Sequence, residues 1–186
     1  MNLKKISIDI LLIFFIFLVD RVSKIYIIKI SEIESKVDIY LTEYLNFYLI
    51  WNKGIAFVLF SFNESFIYNS ITLIIALISI ILAIMIYNSD GFKKISLIFV
   101  LGGALGNLFD RIYYSAVPDF IDFHFKDFHW FVFNIADIFI TLGVICLIFD
   151  EIFDNNKKIL TKKTFSYEWE KNCTHRSRTC IFHCCK

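Results

Sequence analysis

Four acids punctuate an otherwise apolar stretch between Asn107 and Asp137. They are Asp110, Asp119, Asp122 and Asp137, accompanied by Arg111 and by two asparagines, Asn107 and Asn134. A charged side chain inside a bilayer costs on the order of 2.5 kcal/mol or more, so acids set among such runs are candidates for function. Two carboxylates close together in an apolar site cannot both ionise readily, and the pair then holds one proton between them. One member can activate water while the other protonates a carbonyl, which is acid–base peptide hydrolysis without a covalent intermediate.

Spacing sorts the four acids. In Val117-Pro118-Asp119-Phe120-Ile121-Asp122-Phe123-His124-Phe125-Lys126 an extended chain puts Asp119 with the apolar set and Asp122 with the polar set. Asp119 is then the acid in a low-dielectric setting, and Asp122 is expected to be a solvated surface charge. Asn134 and Asp137 are i,i+3 and share a helix face. In a helix starting near Phe128, Asp137 lies about 14 Å along the axis, inside the outer half of a bilayer, and needs a partner or a wet pocket. Asn107, Asp110 and Arg111 fall at i, i+3 and i+4. The expected division is a structural Asp110–Arg111 pair beside reactive Asp119 and Asp137.

Other chemistries fit less well. His124 and His129 flank Asp127, so a metal site is conceivable, but no HExxH or comparable ligand spacing occurs. Ser115 has no evident His–Asp partners, and no GxSxG or Walker-type loop is present.

The elements that must position these acids are mostly membrane-like. The chain of 186 residues is 58% hydrophobic with mean hydropathy +0.64, too apolar for an ordinary soluble domain. The net charge of +1 and the lack of a basic domain argue against a nucleic-acid partner. Four transmembrane helices are predicted at about residues 6–28, 66–87, 95–109 and 128–149. The first follows Lys4 and Lys5 like a signal peptide, but no small-residue cleavage site follows it, so it reads as a retained span. Asp20 and Lys24, near its far end, are i,i+4 and can pair; they serve either as interfacial anchors or as the border of an active site. Residues 36–62 alternate apolar and polar around an Asn52-Lys53-Gly54 turn and predict a small extracytoplasmic β-sheet. Gly102-Gly103-Ala104-x-Gly106 is a small-residue face for close helix packing.

The predicted fold is therefore a mainly α membrane protein, with a functional domain over residues 1–155 and a polar tail over 156–186. Presumed inner segments carry twelve Lys and Arg and outer segments five, which places both termini in the cytoplasm and the acids at the outer face. The cysteines do not form a secreted disulfide framework: Cys146 stands alone, and Cys173, Cys180, Cys184 and Cys185 crowd the tail with His175 and His183. The tail spacing matches no standard zinc site.

Taken together the motifs resemble the signal peptidase II family, the lipoprotein signal peptidases of the bacterial inner membrane. The segment Gly102–Arg111 looks like that family's GGAxGNxxDR block, Val117–Ile121 like VxDFI, and Phe133–Asp137 like FNxAD. Asn52–Phe57 resembles the NxGxAF turn, and Asp20 with Lys24 the DxxxK pattern. The five occur in the family's order over residues 1 to about 155. The resemblance implies an aspartic endopeptidase of four transmembrane helices with a membrane-surface arm, and catalytic Asp119 and Asp137. It implies supporting roles for Asn52, Gly54, Asn107, Asp110, Arg111, Asn134, Asp20 and Lys24. The implied substrates are diacylglyceryl-modified prolipoproteins arriving laterally from membrane lipid, cleaved just before the lipidated cysteine, with no cofactor and a monomeric enzyme. Two positions depart from the pattern: Pro118 replaces a small aliphatic, and Phe131 stands where the family often has Pro. Pro118 restricts Val117 to extended conformations, in keeping with a strand.

Two other classes fit less well. A cation-coupled transporter should show repeats or helices interrupted at midplane, and neither is seen. A purely structural anchor leaves the polar set unexplained.

Overall fold

The computed structural model describes residues 3–34, 38–54, 64–125 and 128–153. The return run at 55–60, the implied surface arm and the Cys-containing tail lie outside these residues. The chain divides between Leu147 and Ile148 into two units, and the first contains every residue discussed below as part of a site.

Among the described residues, four helices and four strands occur in the order α1 (Leu3–Glu34), β1 (Asp38–Thr42), β2 (Leu45–Asn52), α2 (Glu64–Tyr87), α3 (Gly91–Tyr114), β3 (Val117–Phe125), β4 (Phe128–Phe133) and α4 (residues 135–153). α1 is longer than the apolar run predicted. Its 32 residues span about 48 Å, well beyond the ~30 Å hydrocarbon thickness. The excess is used: Ile27 and Ile30 near its end pack with Phe120 and Ile121 of β3. By length and composition, residues 66–87 and 91–114 are apolar enough to cross a membrane. Outward faces carry Leu11, Phe15 and Leu18 on α1, Leu77, Ile80 and Ile84 on α2, and Leu142 and Ile145 on α4, all exposed. Apolar surface of that extent suits lipid rather than water.

The helical core joins Ile16 of α1, Leu82 and Ile86 of α2, and Leu97, Ile98 and Leu101 of α3, with Phe139 and Leu147 of α4 against it. Glycines let the helices close. A Cβ on Gly102 would lie 2.8 Å from the Ile16 side chain, one on Gly103 would strike the Ala136 carbonyl, and one on Gly143 would lie 2.7 Å from the Ser96 carbonyl. The small-residue face thus serves packing, as its spacing predicts.

The sheet is antiparallel in the order β1-β2-β3-β4. Two expectations fail here. Residues 128–133 are a strand, not the start of a helix: Ile121 to Phe125 of β3 pair with Phe128 to Phe133. An apolar run reads alike as buried strand or helix, and only the aromatic and β-branched content of Phe-His-Trp-Phe-Val-Phe favoured the strand. Nor does the third helix end near residue 109, as predicted. α3 continues to Tyr114 and ends at Ser115, whose φ of 56° is left-handed and closes the helix. Pro118 is accommodated in β3 because β4 pairs only from Ile121 onward, so the missing N–H costs no ladder bond on that side.

Candidate active site

The site forms where the end of α3, the start of α4 and strands β2 and β3 meet α1. It is built on three asparagines, each with its amide oxygen already taken by a donor. Asn52 Oδ1 accepts the Gly54 N–H at 2.7 Å, an Asx-type turn that Gly54 closes with a φ of +80°. Asn134 Oδ1 accepts the Asp137 N–H at 3.1 Å while Asp137 Oδ2 accepts the Asn134 N–H at 3.1 Å, a reciprocal cap that starts α4. Asn107 Oδ1 accepts from Lys24 Nζ at 3.0 Å. With its oxygen occupied, each amide turns its NH2 the other way.

Those NH2 groups meet the two acids. Asn52 Nδ2 donates to Asp119 Oδ2 at 2.8 Å and Asn134 Nδ2 to Asp119 Oδ1 at 2.6 Å. Asn107 Nδ2 donates to Asp137 Oδ1 at 2.8 Å. All four carboxylate oxygens therefore accept one N–H each. Asn134 links the two acids, through its side chain to Asp119 and its backbone to Asp137. Asp119 is buried, and desolvation pushes its carboxyl up to about 6. The Asn52 and Asn134 amides pull the other way, and the Asp137 charge adds to the rise.

Asp137 thus sits in the first turn of α4, not two and a half turns along it, because β4 occupies the residues assigned to the helix start. The Asn134-x-x-Asp137 cap was the available signal for that boundary.

Beneath the two acids lies a buried ionic cluster. Lys24 Nζ is 2.9 Å from Asp20 Oδ2 and 2.6 Å from Asp110 Oδ2, and an Arg21 Nη2 is 2.5 Å from Asp110 Oδ1. Asp20, Lys24 and Asp110 have no exposed surface, so the interfacial-anchor reading of Asp20 and Lys24 is overturned. Asp20 Oδ1 also accepts the Ala136 N–H at 2.9 Å, placing a carboxylate of α1 at the N-terminus of α4. A Cβ on Gly106 would lie 2.6 Å from Asp20 Oδ2, so the glycine makes room for that contact.

The expected Asp110–Arg111 pair does not form. Neighbours in a helix do not face each other; Asp110 turns inward to Arg21 and Lys24, whereas the Arg111 guanidinium lies 5.4 Å from the Tyr68 ring centre. Asp122, expected in solvent, is buried and 3.6 Å from His124 Nδ1. β3 is a central strand covered on both faces from Val117 to Asp122, so alternation does not sort burial there. Arg21 was missed because its place at the end of a span reads as an ordinary flank. Among the described residues no group of three or more His, Cys, Asp or Glu is arranged to hold a metal ion.

Comparison with known proteins adds independent findings. The family model described as signal peptidase (SPase) II matches residues 12–153. The chain is 55% identical over 157 residues to the lipoprotein signal peptidase of Pelagibacter ubique, covering 84% of this chain and 95% of that one. It is 39% identical over 154 residues to that of Anaplasma phagocytophilum, covering 81% and 95%. A bacterial membrane enzyme solved by the in meso method at 2.3 Å superposes with a TM-score of 0.62 at 28% identity, over 82% of this chain and 92% of that chain.

Proposed function

The chain belongs to the signal peptidase II family, and from that premise we propose that it is an aspartic endopeptidase whose hydrolytic pair is Asp119 and Asp137. One observation carries the reading: two carboxylates bridged by Asn134 and held on every oxygen by an N–H, with no cation bonded to either among the described residues. Such a pair is oriented without being neutralised, which leaves room for one shared proton. We assign that proton to Asp119, where burial favours the neutral acid. Asp137 takes a proton from water as the water oxygen attacks the scissile carbonyl carbon, and Asp119 gives its proton to the carbonyl oxygen. The tetrahedral diol then collapses: the C–N bond breaks, the proton held by Asp137 passes to the leaving amine, and one hydroxyl proton of the diol returns to Asp119 as the carboxyl product forms.

The proposed substrate is a diacylglyceryl-modified prolipoprotein, cut before the lipidated cysteine. The relatives named lipoprotein signal peptidase support it. Four membrane crossings, both termini in the cytoplasm of a bacterial inner membrane, a monomeric catalytic domain over residues 1–155 and a separate tail over 156–186 complete the proposal. Asn52, Gly54, Asn107, Asn134, Asp20, Lys24, Asp110 and Arg111 are its supporting residues.

The test is a processing assay on a diacylglyceryl-modified prolipoprotein in detergent or lipid, followed by gel shift. Wild type and Asp122→Asn should release the signal peptide. Asp119→Asn and Asp137→Asn should each lose at least about 10³-fold in rate, as removal of one member of a catalytic unit does. Processing by either dyad variant at the wild-type rate would exclude the aspartic mechanism.

A further inference from the structure

The ammonium of Lys24 has three protons and no acceptor, and three oxygens surround it: Asp20 Oδ2 from its own helix, and Asp110 Oδ2 and Asn107 Oδ1 from α3. An amide that meets an ammonium must present its oxygen. The reversed Asn107 would set two donors against each other at Lys24 and an oxygen against the carboxylate at Asp137. Orientation at Asp137 is therefore decided one residue away, on α1. The arrangement also needs a second cation. Asp20 and Asp110 carry two negative charges and Lys24 one positive charge; Arg21, 2.5 Å from Asp110 Oδ1 and held with its guanidinium carbon 4.9 Å from the Phe109 ring centre, restores neutrality.

Resting on the dyad reading above, we propose that Lys24 is a positioning residue that locks the Asn107 amide with its NH2 toward Asp137, and that Arg21 makes this possible by balancing Asp110 so that the third ammonium proton is left for Asn107. Without the lock, Asn107 can turn its oxygen to Asp137 and the charged base loses a donor. Among the described residues, the groups facing Asp137 are Asn107 from α3, Asn134 at the start of its own helix, and the Asp119 carboxyl from β3. Loss of the Asn107 donor therefore leaves Asp137 Oδ1 without its N–H, and a pH profile of processing reads that change.

The discriminating variant is the charge-balanced double substitution Asp20→Asn with Lys24→Met. It removes one charge of each sign, keeps an amide oxygen for the Ala136 N–H, and leaves the Arg21–Asp110 pair in place. Prolipoprotein processing is measured from pH 5 to 9, with thermal unfolding in detergent as the check on folding. The double variant should lose about 10- to 100-fold in kcat/KM at neutral pH, and its acidic limb should move up by about one pH unit. Asp9→Asn with Lys94→Met removes a remote ion pair of 2.6 Å on the same helices and should keep the wild-type profile. A profile superimposable on wild type, or an equal loss at every pH, overturns the proposal. If the double variant does not fold, Asn107→Ala, which leaves all charges in place, must show the displaced limb; an undisplaced limb there overturns it equally. Asp137→Asn run alongside separates the two readings, because wild-type processing by that variant sinks the dyad itself, whatever Lys24 does.

Discussion

Two pairs of acids meet in one polar region and are treated in opposite ways. Asp20 and Asp110 are matched by two cations, Arg21 and Lys24, at 2.5–2.9 Å. Among the described residues, Asp119 and Asp137 are met by N–H groups of asparagines and by no cation. Matched charges in a low-dielectric interior attract strongly and form a fixed joint; they tie α1 to α3 and, through Ala136, to α4. Neutral donors fix direction without supplying charge, so the second pair keeps an unmet need for a proton. Helices are clamped by one pair, and chemistry is left to the other.

The comparison is broken most directly by removing one cation. Lys24→Met alone leaves two buried carboxylates with Arg21, and breaking a buried pair in this way costs about 3–5 kcal/mol. The variant should unfold at markedly lower temperature in detergent or fail to accumulate, whereas Asp119→Asn should fold and not cleave. Equal melting of Lys24→Met and wild type would mean that the cluster is no clamp.

A smaller effect is expected at Gly106. Its added Cβ would press on Asp20 Oδ2 at 2.6 Å and the Ala136 Cβ at 3.4 Å, so Gly106→Ala should cost about 1–3 kcal/mol by overpacking the joint. Gly91→Ala meets nothing within 4 Å and bears only the strain of φ +65°, about 1 kcal/mol, so Gly106→Ala should melt lower than Gly91→Ala. The reverse order would show that the Asp20–Ala136 contact has slack.

The smallest effect sharpens the other pair. Folding raises Asp119 from 3.8 to about 6, so the folded state binds the extra proton. Its contribution to stability is fully present below about pH 4 and is lost as pH rises through about 6. Asp119→Asn removes this dependence. The melting temperature of wild type relative to Asp119→Asn should therefore rise as pH falls from 8 to 5, by the equivalent of about 1–2 kcal/mol. A difference that is flat across that range would remove the case for Asp119 as the proton carrier.

Much of this was legible in one dimension. The apolar runs marked α2 and α3, the glycines of the Gly102–Gly106 stretch marked close packing, and Asn-Lys-Gly marked the turn that orients Asn52. These features are local: periodicity, a missing Cβ and an Asx turn each act within a few residues. Asp119 and Asp137 stood out because a charge in an apolar run is costly wherever the chain goes.

What only the tertiary structure decided is partnership. The sequence holds Asp110 beside Arg111, yet helix geometry points them apart and brings in Arg21 and Lys24 from a segment more than 80 residues away. Alternation sent Asp122 to solvent, but a central strand of a covered sheet has no wet face at that position. The apolar run from Phe128 to Phe149 concealed a strand and a helix, and pairing with β3 divided it. Local pattern determines which elements form and which groups cannot be left unpaired; which partner satisfies each group is fixed when helices and strands pack, because hydrogen bonds and ion pairs depend on distances that chain order does not contain.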